Sequence, residues 1–351
     1  MLVAESKVAS ANAAVDSPEA NPNRSWKQIV EPVEPFLQAV TRQLIRQVND
    51  FDPQIIPYAQ YALNGGGKHL RPTIVALSAG ALGEVTDAHV TAAVIIEMVH
   101  LATLVHDDVM DEAEIRRDRP TLASNWGNEI AVLFGDCLFA QALKLAASFP
   151  TPEVCRAVAM ATNTVCSGEI LQTQHCRKFQ VSRREYFRVI EMKTAELFTL
   201  SCDLAAFLSR ATPRRRAALR QFGAAFGTAY QVYDDCVDLF GTEAVAGKSL
   251  GTDLAKGKLT WPVLLAWERA NAADRARLEN MVENWQPENL SAMNELLARY
   301  ETFEPSQEVI ARYLEQARRV LRVLPESGGR AGLFGLADFL AQQTDALAVC
   351  I

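Results

Sequence analysis

The chain carries the pattern Asp-Asp-x-x-Asp twice, and each copy follows an apolar stretch with helical spacing. The six carboxylates are Asp107, Asp108, Asp111, Asp234, Asp235 and Asp238. On a helix, positions i and i+4 lie one turn apart on the same face, so Asp107 and Asp111 can share a hard cation. A single copy is equally typical of a solvated acidic helix end. The second copy favours two helices whose acidic ends face each other around one metal and phosphate site.

Most of the remaining chain shows helical spacing interrupted by short breakers, and no alternating run is long enough to predict a sheet. With 49% hydrophobic residues, a chain of 351 residues can bury a sizeable core. No break in composition divides it. We therefore predict an all-α fold, with a single domain over residues 26–351 and a disordered tail over residues 1–25.

Prolines and capping residues predict where several helices begin and end. Thr86 or Asp87 can cap the long helix that ends in the first acidic cluster, and Thr212 can cap the helix that ends in the second. Ser182 and Glu185 match a capping box. The other predicted segments are a helix over about 35–48, a polar loop over 116–124, helices over about 125–147 and 182–209, a mobile loop over 241–257, and a last helix over about 330–348.

Charge and cysteine content exclude some classes of protein. A net charge of -7 argues against a nucleic-acid partner, because binding a polyanion needs a broad basic face. The seven cysteines form no C-x-x-C pair, which indicates reduced thiols and a cytoplasmic location. The acidic residues near the start fit neither a transit peptide nor a secretory signal. Glu97 and His100 interrupt the most apolar window, so we predict no membrane-spanning segment.

Basic residues accompany the acidic clusters. Lys68 and Arg71 follow a glycine triplet just before a helix N-terminus, where charge-assisted hydrogen bonds and the helix dipole suit a diphosphate. Arg116 and Arg117 follow Asp111 closely and can grip phosphate oxygens bidentately. The alternatives are a solvated basic loop for the first pair and surface ion pairs for the second. The presence of both pairs beside two acidic clusters favours phosphate binding.

Other candidates depend on weaker signals. His100 lies seven residues before Asp107, two helical turns away on the same side, although a lone histidine on an apolar helix is more often a core group. By spacing alone, Lys193, Thr194 and Lys258 are no more than surface residues near helix boundaries.

A site made only of carboxylates has hard ligands and favours Mg²⁺, with Mn²⁺ as an alternative. Zinc is disfavoured, because the Cys and His residues do not have the spacing of zinc ligands.

These motifs together resemble the trans-isoprenyl (polyprenyl) diphosphate synthase family. The matching stretches, from about residue 30 onward, are GGGKHLRP, HLATLVHDDVMDEAEIRRDRPT, WGNEIAVLFGD, GEILQ, KTAELF, FGTAYQVYDDCVDLFG and GTDLAKGKLTWP. The resemblance implies an isoprenoid-synthase-type bundle of helices around a central cavity, usually in a homodimer. It also implies a prenyltransferase that joins an allylic diphosphate to isopentenyl diphosphate, head to tail and in the trans configuration.

The resemblance implies a role for individual residues. The six aspartates would hold Mg²⁺ on the allylic diphosphate. The residues implied to contact that same diphosphate are Arg116, Lys193 and Lys258. Those implied to bind isopentenyl diphosphate are Lys68, Arg71, His100 and Arg117. Those with oxygens implied to face the developing allylic cation are Thr194 and Gln231. Two positions depart from the family pattern, Asp118 after the arginine pair and Tyr230 before Gln231.

Product length follows from a physical argument within the resemblance. Large aromatic residues one turn before the first aspartate form a floor in short-chain members, whereas this chain has the small residues Ala102 and Thr103. We therefore expect a medium- or long-chain polyprenyl product. For a long product, the protein can also contact a membrane peripherally. The alternatives are a farnesyl or geranylgeranyl diphosphate synthase, or a non-catalytic partner subunit of a heteromeric synthase. A terpene cyclase fits less well, because it needs no second diphosphate site.

Overall fold

The computed structural model describes residues 25–64, 67–117, 119–243 and 249–347, and these are predominantly helical. The prediction of an all-α fold is confirmed. The α-helices are α1 (Trp26–Val30), α2 (Glu34–Asn49), α3 (Ile56–Leu63), α4 (Leu70–Gly80), α5 (Asp87–Met110), α6 (Leu122–Trp126), α7 (Asn128–Ala147), α8 (Pro152–His175), α9 (Arg183–Ile190), α10 (Glu196–Leu208), α11 (Pro213–Phe240), α12 (Thr252–Ala255), α13 (Trp261–Arg269), α14 (Ala272–Glu283), α15 (Asn289–Arg299), α16 (Phe303–Leu321) and α17 (Gly328–Leu347).

The two long helices that carry the aspartates begin as predicted. Thr86 is the N-cap of α5, and its backbone N–H donates to Nδ1 of His89 at 3.0 Å. The hydroxyl of Thr212 accepts from the backbone N–H of Arg215 at the start of α11. These contacts satisfy donors that the first turn of a helix leaves without partners. Both helices end in or just after an aspartate cluster.

Two clusters of buried hydrophobic side chains form the core. One joins α2, α5, α7 and α8, and the other joins α9, α11 and α13 to α17. Helices α4 and α10 contribute to both clusters: Val75 and Leu197 pack in the first, while Ile74 and Phe198 pack in the second. Because α4 and α10 lie between the clusters, they set the separation of α5 and α11.

A short β-ladder stands where the sequence predicts a polar loop. Ile115–Arg116 (β1) pairs antiparallel with Arg119–Pro120 (β2) directly after the first aspartate cluster. Two residues per strand are too few to produce a visible alternation of polar and apolar positions. The helix predicted over 125–147 is also divided, because Gly127 has a φ of 89° and separates α6 from α7.

The helix predicted over 182–209 contains an irregularity. The capping box of Ser182 and Glu185 is confirmed, but Glu191–Ala195 forms a π-helical segment between α9 and α10. Such insertions are common at functional sites. Residues 1–24 and 244–248 lie outside the described residues, so the tail prediction and part of the mobile-loop prediction stay predictions. Within the predicted loop, Thr252–Ala255 is helical.

Two helices are long and apolar enough to cross a membrane, judged by length and composition alone. They are α5, with 61% of its apolar window buried inside the protein, and α7, with 39% buried. This observation is weak support for a membrane span, because a core helix passes the same test. Glu97 and His100 therefore do not by themselves rule out α5 as a membrane-spanning helix, and the absence of a spanning segment stays a prediction.

We predict that Gly223→Ala destabilises the fold. A Cβ at this position on α11 would lie 2.6 Å from the backbone O of Phe198 and 2.8 Å from Cα of Thr199, so α10 and α11 would have to separate. We expect a loss of about 1–3 kcal/mol in the free energy of unfolding, measured by denaturant titration. Gly328→Ala is the control, because its Cβ would meet no described atom within 4 Å. Equal stability of the two variants would contradict this packing argument.

Candidate active site

The side chains along α5 divide into a buried face and a partly exposed face. Ala102, Val105 and Asp108 are buried, whereas His100 and Asp107 are half-buried. Because positions three and four residues apart share a helix face, the partly exposed residues form one stripe that leads to Asp111. At its end, Asp107 approaches Lys193 of the π-helical segment, and Asp111 contacts the residues after α12.

Two lysines hold Asp111 at the end of α5. Nζ of Lys258 lies 2.8 Å from Oδ1, and Nζ of Lys256 lies 2.9 Å from Oδ2. Burial opposes ionisation, but the charges and hydrogen bonds of the two lysines outweigh it and lower the pKa of Asp111. Lys258 was predicted from the resemblance, but Lys256 was missed, although it lies in the quoted stretch GTDLAKGKLTWP.

The other two aspartates of the first cluster have different partners. Asp108 is buried and accepts a 2.6 Å hydrogen bond from Nε of Arg116. Oδ2 of Asp107 lies 3.8 Å from Nζ of Lys193, in the π-helical segment. Burial raises the pKa of Asp107 to about 6, with Lys193 opposing and Glu169 adding to the shift.

The second cluster combines one half-buried aspartate with two buried ones. Asp234 is half-buried, whereas Asp235 and Asp238 are buried and accept hydrogen bonds from the protein at both carboxylate oxygens. Asp235 accepts from Nε2 of Gln231 at 2.9 Å and from the hydroxyl of Tyr186 at 2.5 Å. Burial raises the pKa of Asp235 to about 7, and Asp253 adds to the shift. For Asp108, Asp235 and Asp238, direct metal binding stays a prediction, and in this structure they organise the walls of the site.

One loop connects the two clusters. At its start, Asp238 accepts from the hydroxyl of Thr252 at 2.8 Å and from the backbone N–H of Asp253 at 3.1 Å. At its end, Lys256 and Lys258 reach Asp111. Residues 252–258 therefore bond to the end of α11 and to the end of α5 at the same time.

Thr194 and Gln231 lie together, as the resemblance implies. The hydroxyl of Thr194 donates to Oε1 of Gln231 at 2.7 Å, and Nε2 of Gln231 donates to Asp235. The Asp235 bond fixes which end of the amide faces Thr194. A cavity adjoins this pair, and its lining combines Gln231, Asp235 and Lys258 with the apolar side chains of Val189, Ile190 and Leu259.

A basic region lies beside the acidic clusters, around Arg71, His100 and Arg117. The guanidinium of Arg71 stacks over Phe198 at 4.8 Å, and its buried Nε has no hydrogen-bond partner among the described residues. Burial lowers the pKa of Arg71. Burial and the neighbouring cations Arg71 and Arg117 lower the pKa of His100 well below its ordinary value. The buried Nε–H of Arg71 can therefore donate a charge-assisted hydrogen bond to an anion.

The remaining predicted residues of this region are also close. A Cβ on Gly67 would lie 2.9 Å from Nη1 of Arg117, so the glycine loop approaches the arginine pair. Lys68 is exposed. Burial and Asp234 raise the pKa of Tyr230, while Arg71 and Arg117 oppose the shift, which places the phenol between the second cluster and the basic region. Asp118, the other departure from the family pattern, lies outside the described residues.

Sequence reasoning missed one carboxylate here. Oε1 of Glu97 lies 3.4 Å from Nδ1 of His69 and raises the pKa of that histidine. His69 and Arg117 have φ angles of 45° and 52°, which few residues other than glycine adopt. Strained backbone of this kind concentrates at functional sites.

The donor set fits a hard divalent cation. Asp107, Asp111 and Asp234 offer only carboxylate oxygens, which such cations prefer. Across the described ranges, no three His, Cys, Asp or Glu side chains are already arranged as a metal site. Lysines bond to Asp111 and approach Asp107 instead, so the acidic ends already attract positive charge.

The predicted chain-length residues lie one turn before the aspartates. Ala102 is 0% exposed and packs within the first core cluster. Thr103 is half-buried, and its hydroxyl donates to the backbone O of His100 at 2.7 Å. Both side chains are small, so neither presents an aromatic ring at this level of α5.

Comparison with known proteins identifies the family. The family described as polyprenyl synthetase matches residues 52–300. This chain belongs to that family. It is 34% identical over 316 residues to an octaprenyl diphosphate synthase of Haemophilus influenzae, covering 89% of this chain and 95% of the relative. Family membership makes the protein a prenyltransferase.

Solved structures of the family share the fold. A decaprenyl diphosphate synthase of Rhodobacter capsulatus superposes with a TM-score of 0.86 at 31% identity, over 91% of this chain and 99% of that one. A polyprenyl synthase of Caulobacter crescentus, complexed with calcium and isoprenyl diphosphate, gives a TM-score of 0.85 at 30% identity, over 90% and 97%. The predicted isoprenoid-synthase-type bundle is therefore confirmed.

We predict that Asp107→Asn stabilises the metal-free protein at high pH. The pKa of Asp107 is about 6 in the folded protein and 3.8 ordinarily, so ionised Asp107 costs stability once the pH exceeds both values. At pH 8 the variant should be more stable than the wild type by up to about 3 kcal/mol, and near pH 4 the difference should vanish.

The measurement is denaturant unfolding in the presence of a chelator at both pH values. Asp345→Asn, at an exposed position on α17, is the matched control for the loss of one carboxylate and should leave the stability close to that of the wild type. A wild-type protein that is the more stable of the two at pH 8 would contradict the argument.

Proposed function

We propose that this chain condenses an allylic diphosphate with isopentenyl diphosphate, head to tail and in the trans configuration, to give a medium- or long-chain polyprenyl diphosphate. The observation that carries the proposal is the pairing of two different anion sites. The acidic clusters with their lysines suit a metal-bound diphosphate. Beside them, the guanidinium of Arg71, whose buried Nε has no hydrogen-bond partner among the described residues, suits a second diphosphate that needs no metal.

We assign Mg²⁺ to the acidic side, with Mn²⁺ as the alternative. Asp107, Asp111 and Asp234 would hold it directly, while the buried Asp108, Asp235 and Asp238 would orient the neighbouring side chains and backbone to which they are bonded. When bound, the metal ions make the allylic diphosphate a better leaving group. Mg²⁺ typically retains several waters and binds phosphate oxygens beside one or two carboxylates, which matches a site of few protein ligands.

The protein's own groups then bind and orient the reactants. Lys193, Lys258 and Arg116 contact the allylic diphosphate, and Lys256 adds a fourth cation beside Asp111. The oxygens of Thr194 and Gln231 face the carbocation that forms when the diphosphate departs. Residues such as Val189, Ile190 and Leu259 exclude water, which would otherwise trap that carbocation.

The second substrate is held by the basic region. Lys68, Arg71, His100 and Arg117 bind isopentenyl diphosphate, and neutral His100 can donate a hydrogen bond without adding charge. The double bond attacks the carbocation, a carbon–carbon bond forms, and the departing pyrophosphate accepts the proton that is lost. No protein nucleophile is needed for this sequence of steps.

Ala102 and Thr103 support a product longer than farnesyl, because neither presents a large ring below the aspartates. The alternative of a farnesyl or geranylgeranyl diphosphate synthase requires another group to block growth. The alternative of a non-catalytic partner subunit is disfavoured by the complete set of aspartates and cations around one site.

A homodimer in the cytoplasm is part of the same proposal. Helices α7 and α8 expose several large apolar side chains, and such faces are typical of protein interfaces. They are Val132, Leu133, Leu143, Met160 and Ile170. A second copy meeting this face would cover α7, whose apolar window is only 39% buried in the single chain. Peripheral contact with a membrane is proposed only for the stage at which a long product is released.

We predict that the purified chain alone, given farnesyl diphosphate and labelled isopentenyl diphosphate, releases pyrophosphate and forms products longer than its starter. Mg²⁺ should restore the reaction after chelation. Asp111→Ala should reduce turnover by about a hundredfold or more, because it removes a metal ligand and the partner of two lysines. Chromatography of the labelled products gives their length.

Asp345→Ala is the control and should retain full turnover. Products no longer than farnesyl would overturn the proposed chain length. Turnover that appears only after a second protein is added would instead support the partner-subunit alternative.

We predict that Ala102→Phe shortens the product by one or more isoprene units. The ring would replace a methyl group one turn before the first aspartate cluster and narrow the path that we propose for the growing chain. Product chromatography measures the effect, and the unfolding midpoint checks that the core tolerates the ring, because Ala102 is fully buried. Thr103→Ala, at the adjacent position, should not shorten the product. An unchanged product from a stable Ala102→Phe variant would contradict this role.

A further inference from the structure

The Gly-Glu-Ile-Leu-Gln stretch of α8 has no role in the reaction described above, yet it lies against the π-helical segment. A Cβ on Gly168 would lie 2.8 Å from the backbone N of Lys193 and 2.9 Å from Cβ of Met192. Glycine at this position therefore allows α8 to approach the segment more closely than any other residue would. The next residue, Glu169, is thereby placed beside Lys193.

A second glycine lies on the opposite side of the segment. A Cβ on Gly227 of α11 would lie 2.6 Å from Cα of Ala195. The π-helical segment is thus held between Gly168 of α8 and Gly227 of α11. Its backbone position is determined by close packing on both sides, and the packing fixes the point from which the Lys193 side chain extends.

The ammonium of Lys193 has defined acceptors. It forms an ion pair with Oε2 of Glu169, whose side chain is 13% exposed, and donates to Oε1 of Gln172 at 2.8 Å. Oδ2 of Asp107 is 3.8 Å away, which is beyond hydrogen-bond range. An ammonium has three N–H donors, and the hydrogen bond to Gln172 uses one of them, so donors remain for Glu169 and for a ligand beside Asp107.

We propose that Glu169 and Gln172 are positioning residues that hold the Lys193 ammonium next to the allylic diphosphate and keep it from pairing with Asp107. This inference rests on the proposed function. Without Glu169, a movement of about 1 Å would bring Lys193 into direct contact with Asp107. That contact would occupy an N–H donor of Lys193 that would otherwise bind the diphosphate. It would also occupy an oxygen of Asp107 that would otherwise bind the metal.

Two effects of removing the Glu169 charge have opposite signs. Simple electrostatics predicts that an anionic ligand binds more tightly when a nearby negative charge is lost. Loss of positioning predicts weaker binding, because Lys193 would then be bonded to Asp107. The sign of the change therefore separates a positioning role from a general electrostatic one.

The experiment compares Glu169→Gln, Lys193→Met and the double variant by calorimetric binding of a thiolo analogue of farnesyl diphosphate that resists ionisation, at several Mg²⁺ concentrations. We expect Glu169→Gln to weaken binding about tenfold and to raise the Mg²⁺ concentration needed for half-maximal binding. In the Lys193→Met background, the same change should no longer weaken binding.

Glu153→Gln, an exposed change of the same type on α8, is the control and should bind the analogue like the wild type. Tighter binding by Glu169→Gln, or an equal loss with and without Lys193, would overturn the proposal. The readout is binding of an unreactive ligand, so it is separate from the product assay. If the wild type binds the analogue but makes no product, the proposed function fails while the positioning of Lys193 can still be judged.

Discussion

The active site depends on the attraction between carboxylates at the ends of α5 and α11 and the cations packed against them. Asp111 lies between Lys256 and Lys258, Asp108 is bonded to Arg116, and Asp107 lies near Lys193. Each of these carboxylates is largely removed from water, and an unpaired buried charge would cost several kcal/mol. The fold therefore supplies positive charge to the acidic ends before any metal or substrate arrives.

Local signals account for most of the fold. The apolar spacing before each acidic cluster, the Thr86 and Thr212 caps and the Ser182 capping box each act within one or two helical turns, and the structure has all of them. The π-helical segment could not be predicted in this way. It depends on Gly168 and Gly227, which lie on two other helices and meet the segment only in the folded chain. The short β-ladder after Asp111 could not be predicted either, because strands of two residues are too short to show an alternation of polar and apolar side chains.

The sequence was enough to predict which residues form the candidate site, but not which of them are exposed to a ligand and which are buried. Spacing and resemblance together named the six aspartates, and the structure places both clusters at one site. Which of them are half-buried and which are enclosed depends on how α5 and α11 are rotated against α4 and α10, and this rotation follows from the packing of the whole core. Lys256 was missed because a lysine two residues before another lysine has no distinctive spacing, and only the folded loop brings both to Asp111.

The loop over residues 252–258 has a further consequence, because it bonds to Asp238 at one end and to Asp111 at the other. A ligand that draws Lys256 or Lys258 away from Asp111 alters a segment whose other end is held at the second cluster. By thermodynamic linkage, occupancy of one acidic cluster then changes the affinity of the other, and the reverse change is equal in size. The two halves of the site are therefore coupled through residues 252–258.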